Sequence, residues 1–121
     1  MWFENDGNNN FTIHTIHTSS VGIKSVFAID VDNDGDSDIL TASYTDDKIN
    51  WLENDGNENF IEHTISTKDG ARSVYALDID SDGDIDILSA SYEDDTIAWY
   101  ENDGNQSFAE HSISTVSDGA Y

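Results

Sequence analysis

Short runs rich in β-branched and aromatic residues, spaced by small residues and closed off by polar turns, mark this chain as a series of strands. Ser25-Val26-Phe27-Ala28-Ile29 and Ile39-Leu40-Thr41-Ala42-Ser43-Tyr44 form one such pair; Ser73-Val74-Tyr75-Ala76-Leu77 and Ile87-Leu88-Ser89-Ala90-Ser91-Tyr92 form its later copy. The pattern predicts four strands per unit. The first covers 25–31 and 73–79, the second 38–44 and 86–92, and the third 48–53 and 96–101. A turn on Asp46-Asp47, or on Asp94-Asp95, joins the second strand to the third. An Asn-Asp-Gly-Asn turn from Asn54 to Asn57, with positive φ supplied by Gly56, leads to a fourth strand at 59–66.

The units repeat. Trp2, Trp51 and Trp99 open the same phrase, Trp-Phe/Leu/Tyr-Glu-Asn-Asp-Gly-Asn, at spacings of 49 and 48 residues. Self-similarity at that period signals a solenoid, a propeller or an array. Four short strands with tight turns in about 48 residues match one blade of a β-propeller.

Between the first and second strands lie Asp30-Val31-Asp32-Asn33-Asp34-Gly35-Asp36-Ser37-Asp38 and Asp78-Ile79-Asp80-Ser81-Asp82-Gly83-Asp84-Ile85-Asp86. Both read D-x-D-x-D-G-x-x-D. Carboxylates at positions 1, 3, 5 and 9 repel one another, and a hard divalent cation removes that penalty. Ca2+ takes six to eight oxygens from loops of this type. Gly35 and Gly83 supply the sharp turn that brings position 9 back toward position 1. At position 7, Asp36 and Asp84 are expected to offer a backbone carbonyl and leave their side chains outward. A solvated acidic turn is the bland alternative, and the double recurrence of spacing, glycine and acidity weighs against it. An EF-hand is excluded, because position 12 is Thr41 or Ser89 rather than a bidentate Glu and strands replace the flanking helices. The loop therefore closes a β-hairpin with the metal as its staple, two Ca2+ per chain.

Composition narrows the partners. The 121 residues suffice for one domain with a modest core. The formal net charge is −22, from 26 acidic residues against Lys24, Lys48, Lys68 and Arg72; two bound Ca2+ would bring it to −18. Nucleic acid and anionic membrane both need a basic face and are excluded as partners. Cysteine is absent, so neither a disulfide framework nor a thiolate zinc site can form. No apolar run spans a bilayer, and Met1-Trp2-Phe3-Glu4-Asn5-Asp6 is not a signal peptide. Such acidic loops suit the millimolar calcium outside cells, so the expectation is an extracellular protein whose export signal was removed, or a piece of something longer.

The stretch from Val74 to Ser91, followed by Asp95-Thr96-Ile97-Ala98-Trp99-Tyr100-Glu101-Asn102-Asp103-Gly104, closely resembles the FG-GAP/VCBS repeats of integrin α-subunit propellers and of secreted bacterial and archaeal proteins. The resemblance covers essentially the whole chain. It implies that the acidic loop joins the two innermost strands of a blade and holds one Ca2+. The implied side-chain ligands are Asp30, Asp32, Asp34 and Asp38, then Asp78, Asp80, Asp82 and Asp86. Counted in this frame, the chain is an outer half-blade (2–17), a full blade (25–66), a second full blade (73–114) and a tail (115–121), about two and a half blades of four antiparallel strands. Closed propellers need four to eight blades. The expected partner is therefore a second copy, two chains giving about five blade positions, or the remaining blades of a larger propeller. Near-identical repeats make head-to-tail association easy.

Catalytic readings find little support. His14, His63 and His111 recur at one repeat position, three residues after Phe11, Phe60 and Phe108, which spreads them one per blade rather than gathering them for zinc or general-base work. His17 breaks the phasing and reads as surface. The three tryptophans read as packing between sheets, with a sugar-stacking platform second. Glu53 and Glu101 precede turns, where an acceptor beside exposed N–H groups is useful. Neither a nucleophile elbow nor a phosphate cradle is present. The expectation is a calcium-stabilised structural or binding module, not an enzyme. The alternatives are a carbohydrate- or protein-binding module, the propeller part of a secreted hydrolase or lyase, or a minimal repeat binding only calcium and itself.

Overall fold

The computed structural model describes residues 1–16 and 18–116. All their regular structure is β, in ten strands. A two-stranded unit comes first, β1 (Trp2–Asn5) paired with β2 (Phe11–His14). The next four are β3 (Ile23–Ile29), β4 (Asp38–Ser43), β5 (Lys48–Asn54) and β6 (Phe60–Thr67). The last four are β7 (Ala71–Leu77), β8 (Asp86–Ser91), β9 (Thr96–Asn102) and β10 (Phe108–Ser114). Each set of four forms an antiparallel sheet whose spatial order is its chain order. The protein is thus all-β, built of blade-like sheets of the β-propeller type, with acidic hairpins between the two innermost strands. Even the irregularities repeat: the pairing slips by one residue between Ile23 and Ser25 on β3, and between Ala71 and Ser73 on β7.

Packing follows from strand alternation. One face of the β3–β6 blade presents Leu40, Ala42, Ile49 and Trp51, with Val31 from the loop; one face of the β7–β10 blade presents Val74, Ala76, Ile87, Ala98 and Tyr100. These side chains form a single buried cluster. Phe108 meets Trp51 edge-on across this seam, at 6.3 Å between ring centres. Innermost β7 lies against both β3 and β4. The corresponding face of the second blade, displaced by 48 residues, carries Tyr75, Leu77, Ile79 and Ile113, and it lies open, Tyr75 being 53% and Ile113 60% exposed.

Polar ties fix the segments between units. The Glu62 carboxylate accepts from Thr18 Oγ at 2.7 Å and from the Ser19 N–H at 2.8 Å. One repeat later, Glu110 pairs with Lys68 Nζ at 2.7 Å. The first unit leans on the opposite face of the first blade, where Met1, Trp2 and Ile16 face Val26, Ala28, Ile39 and Leu52 across an apolar cavity of about 260 Å³.

The structure moves several predicted boundaries. The first strand of each blade begins at Ile23 or Ala71 and stops at Ile29 or Leu77, two residues short of the predicted end. The next two residues belong to the acidic loop, because Asp30 and Asp78 turn their carboxylates onto the loop's own N–H groups. The Asn54 turn is longer than four residues. Asp55 N–H donates to the Asn59 carbonyl at 3.1 Å, and Asp55 Oδ1 accepts from the N–H groups of Asn57 and Asn59. His17 and residues 117–121 of the tail lie outside the described residues.

Candidate metal centre

Each acidic loop is wound by its own backbone amides. Asp30 accepts from the N–H groups of Asp34 at 3.1 Å and Gly35 at 2.9 Å, and Asp34 Oδ1 accepts from Asp36 N–H at 2.8 Å. The second loop repeats the scheme with small changes. Asp78 accepts from Ser81 and Gly83, and Asp82 from Asp84. Gly35 and Gly83 sit at φ +99° and +102°, a region that L side chains rarely enter.

Position 9 anchors each loop to the sheet. Asp38 and Asp86 are wholly buried at the start of β4 and β8. Asp38 Oδ2 accepts the Val31 N–H at 3.0 Å while its Oδ1 accepts the Asn54 N–H at 2.8 Å. Asp86 does the same for Ile79 and Asn102, at 3.0 and 2.9 Å. One carboxylate thus ties the loop to the end of the third strand. The resemblance implies only a ligand role at this position; the structure adds this second, anchoring one.

Among the described residues, two groups bring carboxylate oxygens within 4.8 Å of one another: Asp30, Asp32 and Asp38, and Asp78, Asp80 and Asp86. Asp34 and Asp82 stand outside these groups, held by the position 7 amides. Asp36 and Asp84 do not point outward as expected. Each carboxylate lies over the glycine of its blade's long turn, 2.5 Å from where a Cβ on Gly56 or Gly104 would stand. These two side chains thereby bridge the loop and the outer turn.

Among the described residues, the ion pairs of Lys48 and Lys68 go to Asp46 and Glu110, while Lys24 and Arg72 lie over the rings of Tyr44 and Tyr92. The crowding shows in the acidities. Burial pushes the Asp38 carboxyl above the ordinary carboxylate range, opposed by the Asn54 and Val31 amides and by the Trp51 indole, which lies near without completing a hydrogen bond. Burial also raises Asp32, with the charges of Asp38 and Asp34 adding to it. Asp80 is raised through lost hydration and the charges of Asp82 and Asp86. Three clustered carboxylates, all of them oxygen donors, fit a hard divalent cation.

The sign of the pH dependence follows. In chelator, groups with raised pKa contribute stability that is full below the unfolded value, about pH 4, and is lost as pH rises through the folded values. A cation binds the ionised carboxylates, so its effect has the opposite slope. The melting-temperature gap between calcium and EDTA should be small near pH 4 and widen toward neutrality. A gap independent of pH would remove these carboxylates from the site.

The repeated histidines belong to a different arrangement. His14, His63 and His111 stack on Trp2, Trp51 and Trp99 at 4.3, 4.8 and 4.7 Å between ring centres. Their Nε2 atoms donate to Glu4, Glu53 and Glu101 at 2.9, 2.7 and 2.7 Å. Glu53 and Glu101 therefore serve histidine rather than turn amides. Trp51 is buried in the seam, and all three indoles have one face occupied by histidine.

The profile described as FG-GAP-like repeat matches residues 1–41, 30–89 and 78–121, three overlapping matches that together span the chain. Two of them begin at Asp30 and Asp78, the first residues of the two loops. No curated protein matches the chain.

Proposed function

We propose a function from one premise: the chain belongs to the FG-GAP-like repeat family. Its blades form a structural and binding module, and each acidic loop takes one Ca2+. The observation that carries this reading is the twice-repeated cluster of three carboxylates within 4.8 Å, one of them fully buried. Asp30, Asp32 and Asp38 would hold one ion, and Asp78, Asp80 and Asp86 the other, with Asp34 and Asp82 completing the side-chain set. The Asp36 and Asp84 carbonyls are the remaining donors. The bound ion supplies charge neutralisation; the chain supplies the wound loop and the anchor to β4 or β8. The coupling to folding is mass action, since the ion binds the folded hairpin and hardly binds the unfolded chain.

The open face of the second blade gives this module its partner. Tyr75, Leu77, Ile79 and Ile113 repeat, at 48 residues, the surface that Phe27, Ile29, Val31 and Ile65 already pack against a neighbouring blade. A second copy, or further blades of a longer propeller, would seat there as the second blade seats on the first. Loops this acidic suit the millimolar calcium outside cells, which supports an extracellular setting; no helix among the described residues is long and apolar enough to cross a membrane. The module performs no catalysis in this reading.

Calorimetry of the calcium-free chain tests the metal reading. Two Ca2+ per chain are expected, falling to one in Asp78→Ala. Stoichiometry unchanged by that substitution would overturn the assignment of the second loop.

A further inference from the structure

The two acidic loops have the same sequence pattern but not the same surroundings. Loop 30–38 lies under the second blade. Its position 2 residue, Val31, is 1% exposed and belongs to the inter-blade core, whereas the equivalent Ile79 is 36% exposed. Asn102, at the end of β9, donates from Nδ2 to the Val31 carbonyl at 3.5 Å. Gln106, on the long turn after β9, donates from Nε2 to Asp32 Oδ2 at 3.2 Å, across 74 residues of chain. Asp32, Asn102 and Gln106 line one inter-blade cleft of about 230 Å³. Among the described residues nothing equivalent covers loop 78–86, whose Asp80 is exposed.

We propose, on the basis of the calcium reading above, that the two sites are unequal: the second blade holds loop 30–38 ready for the ion, and Gln106 is the positioning residue of that site. The physical reason is preorganisation. A loop whose backbone is already packed and whose Asp32 carboxylate is already oriented loses less freedom on binding than an open one. The Gln106 amide occupies one lone pair of a carboxylate that has about four, so acceptor capacity remains for a cation. Substitution of partners that orient a metal ligand typically costs roughly 10–100-fold in affinity, and an exposed amide belongs at the lower end. Loop 78–86 binds more weakly until another blade covers it. Covering and ion binding are then reciprocally linked, each favouring the other by the same factor.

The test is calcium titration by calorimetry at concentrations where light scattering shows a single chain. Wild type should show two affinities about tenfold apart. Asp78→Asn should remove the weaker site, leaving the tighter one. Adding Gln106→Ala to that variant should weaken the remaining site about tenfold while leaving the melting temperature in EDTA unchanged. Glu58→Ala is the control: it holds the same turn position one blade earlier, but meets His14 at 3.1 Å instead of an acidic loop. Equal affinities, or a Gln106→Ala titration matching the control, would overturn the proposal and leave the calcium reading intact. No heat of binding at any concentration would remove both.

Discussion

In excess EDTA the melting temperature should fall by on the order of 20 °C, and added calcium should restore it. At free calcium about 100 times the weaker site's dissociation constant, each site contributes at least roughly 2.7 kcal/mol. Two sites give about 5 kcal/mol, and a domain of this size moves about 4 °C per kcal/mol. Such a contribution is a large share of a typical total of about 5–15 kcal/mol. The effect rests on the crowding of Asp30, Asp32 and Asp38, and of their later counterparts. A melting curve identical with and without chelator would end the calcium reading.

The second large effect separates two residues that the sequence makes equivalent. Trp51 is 1% exposed and sealed between blades, so Trp51→Ala should cost about 3–5 kcal/mol. Trp99 occupies the same position on the open face and is only half-buried. In a dilute single chain Trp99→Ala should cost clearly less, because part of its surface already meets water. At high concentration the order of interest changes. Wild type should gain mass by light scattering as the open face finds a second copy, and Trp99→Ala should shift that equilibrium back toward single chains. Equal losses of stability for the two variants in dilute solution would mean the second face is covered after all. A wild-type mass constant at one chain over all concentrations would sink association of copies and leave further blades of a longer protein as the occupant.

Much of this was legible in the residues, for identifiable reasons. A period of 48–49 residues and Asp-rich loops with Gly at position 6 carry the blades and the acidic clusters directly, since each depends on local backbone geometry. The features that sequence does not carry all depend on what lies beside an element. Val31 looks like the continuation of β3 because it is β-branched; it is a loop residue whose side chain fills the seam. Nothing local attracts the Asp36 and Asp84 side chains, so the sequence points them outward, yet they settle over Gly56 and Gly104, 20 residues later. Glu53 and Glu101 sit beside turns in sequence but meet histidines on the adjacent strand. Gln106 is silent in sequence, because its role exists only once the second blade lies on the first. Identical motifs likewise could not reveal that one copy is covered and the other open.

The seam between the blades has an evolutionary corollary. Leu40, Ile49 and Trp51 face Val74, Ile87 and Tyr100 through surfaces that the repeat regenerates at every step. Duplicating or deleting a whole unit would therefore create no novel junction, only another instance of one already solved. Such a lineage can change its unit count by simple copying errors, and selection is left to act on loops and turns.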